Sequence, residues 1–144
     1  MTPQLASNLL RSIGWGFIVF GIVFVTIAFA GYDRFAHTLT NVFDWTGGPH
    51  TEELTRDARW FAAIMSGLSA GFGALYVFLV APLLTISNPV VRQIAKRGGL
   101  IAAFTWFVID NAGSLAAGVP SNVAMNTIFL LAIAGPLIMV KFSD

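Results

Sequence analysis

Cysteine is absent from this chain of 144 residues, which excludes disulfides, thiolate nucleophiles and cysteine-ligated metal sites. Charge is nearly as scarce. Asp, Glu, Lys and Arg make up 10% of the sequence, against about 25% for an ordinary soluble domain, too few to cover a water-facing surface. A net charge of +1 leaves no basic stripe that could neutralise several phosphates, so nucleic-acid binding is excluded. The two histidines, His37 and His50, both fall outside the long apolar runs. The usual intramembrane ligand for haem or a chlorin ring is therefore missing. HExxH, GxSxG and P-loop motifs are missing as well, and Ser66, Ser69 and Ser114 have no histidine on a helix beside them to act as base. With a single acid in the apolar runs, no carboxylate pair for acid–base work or metal binding can be drawn. The sequence thus predicts no catalytic residue, no metal site and no cofactor.

What the chain has is apolar mass. Hydrophobic residues make up 56% of it, gathered in blocks of about twenty, the length that crosses a bilayer core. Four spans are expected, at about 13–30, 60–84, 100–117 and 123–140. Because every backbone amide in lipid must be satisfied internally, each must be a helix. The predicted fold is an all-α membrane protein of one domain, four transmembrane helices in a compact bundle. The first span resembles a signal peptide, with Arg11 before it and Ala28-Phe29-Ala30 at its end. Its apolar run is long for that role and it carries one basic residue, so it reads as a retained span.

Orientation follows from Lys and Arg. Arg11, Arg92, Lys96, Arg97 and Lys141 lie on one side; Arg34, Arg56 and Arg59 lie on the other among five acids. This bias puts both termini in the cytoplasm. In the inner connection, Asn88 and Pro89 open a short basic helix that Gly98 stops, suited to the headgroup region. In the outer segment 31–59, Phe35, Leu39 and Val42 recur at helical spacing before Trp45, which predicts an interfacial helix. Thr51 then caps a second helix, whose first turn holds Glu52 and Glu53 and in which Glu52 supports Arg56 four residues on.

Two features of the spans invite a closer reading. In the second, Ala63, Gly67, Gly71 and Ala74 share a face, and Gly67 with Gly71 forms GxxxG; small residues let helix backbones approach closely, here inside the bundle. In the third, Asp110 and Asn111 interrupt an apolar run. An aspartate near a helix centre costs about 2.5–3.5 kcal/mol, whereas each Leu, Ile, Phe or Val contributes about 0.3–0.6 in return. Seven such residues in this span offset roughly 2–4 kcal/mol, so the span is marginal alone and must be held by polar neighbours. Ser114 is one turn from Asp110; Asn122 and Asn126, also one turn apart, come back from the short Gly118–Asn122 connection; Ser66 enters from the second span. With no cation inside a span, desolvation favours the neutral acid, which would donate to Asn126 or Ser114 and join the helices. An intramembrane ionisable residue is equally a candidate binding site.

The stretch from Asp110 to Asn126, with its S-x-x-x-G-x-P-x-N core (Ser114, Gly118, Pro120, Asn122), resembles the end of the third span in small, uncharacterised bacterial four-span membrane proteins. That resemblance implies a bacterial inner-membrane location and carries no substrate. The expected function is a non-enzymatic accessory subunit that packs against a larger membrane complex, such as a photosynthetic or respiratory assembly. Thirteen Phe and four Trp are too many for so small an interior, and their outward faces suit lipid, quinone, pigment or another membrane subunit as partner. The rival expectation is a small oligomeric transporter or channel with Asp110 in its pathway.

Overall fold

A computed structural model describes residues 1–29, 31–47 and 52–142. The described residues are helical, with no strand among them. Helix α1 runs over Pro3–Phe24 and tightens into a 3-10 turn at Val25–Ala28. Helix α2 covers Asp33–Phe43 and α3 covers Arg56–Leu75. A π segment, Tyr76–Val80, then leads into the short α4, Ala81–Leu83. Helix α5 spans Pro89–Ala116 and α6 spans Ser121–Met139. Four helices are long and apolar enough to cross a membrane, and the chain is accordingly a multi-pass membrane protein.

Local chemistry sets the helix starts. Thr2 caps α1 through the Leu5 amide, with Pro3 in the first turn. Asn88 does the same for α5, accepting from the Val90 and Val91 amides ahead of Pro89. Helix α2 covers Phe35, Leu39 and Val42, the residues whose apolar spacing predicted a helix. Its successor differs from expectation. Thr55, accepting from the Ala58 amide, is the cap of α3, and Asp57 is the acid of its first turn. Glu52 and Glu53 precede the helix, so no helical Glu52–Arg56 pair forms; Thr51 lies outside the described residues.

A second difference concerns the inner connection. Gly98 does not stop a short helix: α5 continues unbroken through Gly98 and Gly99 to Ala116. Gly99 is where α5 packs closest, since a Cβ there would meet Leu137 Cδ1 at 3.0 Å and Val80 Cγ1 at 3.1 Å. Twenty-eight residues at 1.5 Å each make about 42 Å, longer than a hydrocarbon core of about 30 Å. The basic residues Arg92, Lys96 and Arg97 therefore belong to a projecting first two and a half turns of α5 rather than to a separate element.

The two described chain ends meet. The Met1 nitrogen donates to the Met139 carbonyl at 3.1 Å, and the Lys141 amide donates to the Met1 carbonyl. Lys96 Nζ reaches the carbonyls of Ile138 and Val140, placing positive charge on the negative end of the α6 dipole. Arg92 and Lys96 also lie over the Phe142 ring, at 5.2 and 5.9 Å. We call this the basal end, and the end carrying α2 the distal end.

Helix α1 is the centre of the arrangement: it packs along α3 on one side and against α6 on the other, while α5 packs along α6. The main apolar core, built on Leu10, Tyr76, Val80, Leu84, Ile133 and Leu137, fills the basal half. There the π segment swings α3 toward α5, and the buried Tyr76 hydroxyl donates to the Gly99 carbonyl at 2.6 Å. Tyr76→Phe should cost about 1 kcal/mol, the net worth of one such bond, measured as a shift in the thermal unfolding of detergent-solubilised protein.

The α1–α3 contact is made of small residues, but not those of the GxxxG motif. A Cβ on Gly14 would lie 2.7 Å from both the Gly73 carbonyl oxygen and Val77 Cγ2, and one on Gly21 would lie 2.5 Å from the Ser66 carbonyl oxygen. The packed row of α3 is Ala62, Ser66, Ala70 and Gly73. Gly67 and Gly71 are exposed and have nothing within 4 Å of an added Cβ, and Ala63 and Ala74 are half-buried. The true face is the expected one displaced by one residue, a rotation of about 100°.

Candidate functional site: a polar cluster between two helices

In the distal half, α5 and α6 bury polar rather than apolar side chains. The buried residues of this region are Asn111 on α5 and Ser121 and Asn126 on α6. The backbone that creates the cluster is a helix stop followed by an immediate return. Gly118, at φ 77°, ends α5: the Val119 amide donates to the Ser114 carbonyl at 2.8 Å and the Gly118 amide to the Leu115 carbonyl at 3.1 Å. This pair of bonds is a Schellman stop, which favours glycine because its φ is positive. Pro120 then prevents α5 from resuming, and α6 starts at Ser121. Glycine and proline in the S-x-x-x-G-x-P-x-N stretch thus have a mechanical purpose: they bring Asn122 back onto Ser114.

Five side chains converge there. Asp110 Oδ1 accepts from Ser114 Oγ at 3.2 Å, from Asn122 Nδ2 at 3.1 Å and from Asn126 Nδ2 at 3.0 Å. Asn122 Nδ2 also donates to Ser114 Oγ at 2.8 Å, and Asn126 Nδ2 to Asn111 Oδ1 at 2.8 Å. Four of these bonds lie between residues of the two helices, so the cluster joins α5 to α6. The hydroxyl and both amides all meet the same carboxyl oxygen, so one atom of Asp110 ties Ser114 of its own helix to both asparagines of α6.

Ser66 is not part of the cluster. It is buried in the α1–α3 contact, its hydroxyl donating to the Ala62 carbonyl within the same helix at 2.6 Å. Nothing in its own sequence neighbourhood marked that difference, because serine suits a close helix contact as well as a polar cluster. Arg59 does not approach Asp110 either. It bonds the carbonyls of Ile27 and Phe29, at 3.3 and 2.8 Å, and pairs with Asp33. In that position it closes the distal end of α1 and ties it to the starts of α2 and α3.

Asp33 is held below the usual aspartate range, first by the Leu54 amide that donates to it at 3.1 Å and then by the charge of Arg59. A carboxyl that is more acidic when folded contributes stability above its unfolded value and loses it as pH falls through the folded one. Acidification below the ordinary carboxylate range should therefore release the 31–55 segment. The same release is expected at neutral pH in Arg59→Ala, and limited proteolysis of that segment checks both.

Beneath the polar cluster, one turn toward the basal end, lies an aromatic layer to which four helices each contribute a ring. Phe17 of α1 stands 5.6 Å from Phe72 of α3, 5.6 Å from Phe129 of α6 and 6.4 Å from Trp106 of α5. Trp106 precedes Asp110 by four residues and Phe129 follows Asn126 by three, so polar and aromatic layers share the same helix faces. Above the cluster, Thr46 Oγ1 lies 3.4 Å from Ser121 Oγ and donates to Asp44, which fastens the segment after α2 to the start of α6.

Asp110, Asn111, Ser114, Asn122 and Asn126 are thus brought together as the sequence grouped them. The aromatic layer and the Tyr76–Gly99 bond were missed; the only signal for the layer was that Trp106 shares a face with Asp110. Compared with known proteins, the chain has no significant match to any family model, curated protein or solved structure.

Proposed function

We propose that the protein is a non-enzymatic integral subunit that packs laterally against a larger membrane assembly of the respiratory or photosynthetic kind, in a bacterial inner membrane. The observation that carries this reading is the outward Gly67–Gly71 pair. It lies bare on α3 with no intramolecular neighbour, between the exposed side chains of Ile64, Leu68 and Trp60. A glycine pair flanked by bulky apolar side chains is a groove for a foreign helix, and α1 already occupies the opposite requirement with Gly14 and Gly21. The projecting aromatic and aliphatic side chains around it suit the flank of another membrane protein, or bound lipid, quinone or pigment at the join.

Purification from native membranes in mild detergent should recover the chain with defined partners. Gly67→Ile with Gly71→Ile should leave the isolated fold intact and abolish that co-purification. Recovery of the unaltered protein solely as a free monomer or homo-oligomer would refute the subunit reading.

Both termini are assigned to the cytoplasm. The support is that Met1, Arg92, Lys96 and Lys141 gather at one end of the bundle, where the positive-inside rule places basic residues. Because the chain has no cysteine, single cysteines at Ser87 and Thr46 report the two faces independently. An impermeant maleimide applied to intact cells should label the second and spare the first.

A second reading, a small oligomeric transporter or channel, is favoured by one observation: Oδ2 of Asp110 accepts no hydrogen bond from any described residue. If that reading holds, Asp110→Asn should remove pH-dependent flux in liposomes, and unchanged flux would eliminate a proton-coupled role for Asp110.

A further inference from the structure

We propose that Asp110, Asn122 and Asn126 form a binding site for a small monovalent cation. The argument starts from an inventory of lone pairs. Every hydrogen bond to Asp110 falls on Oδ1. Asn122 and Asn126 enter the cluster through Nδ2 alone. This leaves three acceptor oxygens in one cluster, Asp110 Oδ2, Asn122 Oδ1 and Asn126 Oδ1, that receive no donor from any described residue. None of the three is among the fully buried unpartnered atoms, which are Ser7 Oγ, His37 Nδ1 and Arg92 Nε. Asp110 and Asn122 are half-buried, and Asn126 is buried.

Carboxylate and amide oxygens are hard ligands, suited to cations that bind oxygen and not to those that need imidazole or thiolate. One formal negative charge sets the class of ion. A divalent cation of the calcium kind takes six to eight oxygens, usually with several carboxylates, and Asp110 is the sole acid here. The two helices that build the cluster carry no competing charge at its level. Helix α6 has no ionisable residue, and on α5 the nearest is Arg97, thirteen positions or about 20 Å along the helix. On α1, the side chains facing this level are apolar and aromatic, with Phe17 beneath. On α3, Arg59 is committed to Asp33 and to two carbonyls. Asp44 stands above the cluster, taken up by Thr46, whose hydroxyl lies 3.4 Å from Ser121 Oγ; Asp110 is the one carboxylate within the cluster, and a cation of charge +1 neutralises it.

The three Oδ1 bonds have a second role in this site. By holding one oxygen of Asp110 and the nitrogen of each asparagine, they fix the other oxygen of each group before any ligand arrives. That preorganisation lowers the ordering cost of binding. The site holds for a subunit and for a transporter alike, so it stands apart from either reading of function.

Equilibrium binding of radiolabelled sodium to the purified full-length chain in detergent tests the proposal, with choline chloride holding ionic strength constant. Saturable binding of one ion per chain, displaced by lithium and not by choline, is the expected result. Asp110→Asn should weaken it by about ten-fold or more, as befits loss of a charged contact. Thr105→Ala, at an exposed position of α5, should leave it unchanged. Absence of saturable sodium binding in the unaltered protein, or unchanged binding in Asp110→Asn, would overturn the site. Should Asp110→Asn fail to fold, Asn122→Ala removes one ligand at a half-buried position, and binding of undiminished strength in that variant overturns it equally.

Discussion

Gly73→Leu should destabilise the protein by about 3 kcal/mol or more, the upper part of the range for overpacked cores. The opposing atom is a main-chain oxygen: Gly14 and Gly73 approach so closely that a Cβ on either meets backbone of the other helix. A side-chain neighbour could rotate away, but a carbonyl moves only with its helix. The substitution must therefore separate α1 from α3 along the whole contact that also includes Gly21 and Ser66. Gly67→Ala and Gly71→Ala serve as controls on the same helix. They meet open space, and alanine is the better helix former by about 0.8–1.0 kcal/mol, so both should be neutral or stabilising. Helical ellipticity followed through a thermal or denaturing-detergent titration measures all three. Similar losses at Gly67 and Gly73 would mean that α3 presents the rotated face to α1.

Asp110→Leu should show two effects of opposite sign. Removing the aspartate relieves an insertion cost of about 2.5–3.5 kcal/mol, so α5 alone should insert more readily in a translocation assay. The folded bundle should nevertheless lose stability. Ser114, Asn122 and Asn126 each donate to the lost oxygen, and interhelical hydrogen bonds in membranes average about 0.6 kcal/mol with a maximum near 1.7. The two from Asn122 and Asn126 cross between the helices and come to roughly 1 kcal/mol, enough to loosen α5 from α6, whose distal contact is polar. Asp110→Asn keeps an acceptor oxygen in place and should retain most of that stability. If Asp110→Leu and Asp110→Asn melt alike, the bonds from Asn122 and Asn126 to Asp110 do not hold the helices together.

The contrast between these two sites shows what the sequence could reveal. Asp110, Ser114, Asn122 and Asn126 were legible because polar residues stand out in an apolar run. Their one-turn spacing fixes a face, and a five-residue turn fixes the pairing of the helices. The α1–α3 contact was less legible for the converse reason. Helix α3 is apolar nearly all round, so polarity does not mark its phase. Two rows of small residues, one beginning at Ala62 and the other at Ala63, fit the same spacing. The choice between them depends on which row meets Gly14 and Gly21, and that is a property of two helices at once. Capping chemistry behaved similarly. Asn88 and Pro89 announced the start of α5, whereas the end expected at Gly98 was overridden by packing of Gly99 against Leu137, Val80 and Tyr76. The cap of α3 was expected at Thr51, whereas Thr55 caps it, beside a Leu54 amide that reaches Asp33.

The π segment at Tyr76–Val80 lets one helix serve two neighbours. A π turn is an α-helix carrying one residue more than its neighbours need, and such turns often persist at functional positions. The extra residue lets α3 show Ala62, Ser66 and Gly73 to α1 and then present Tyr76 and Val80 to α5. A straight second span would lack that turn of face, and with it the Tyr76 bond that closes the basal half. Deleting one residue between Tyr76 and Val80 should therefore straighten the helix and free the basal end of α5 from α3, while leaving the Gly14–Gly73 contact in place.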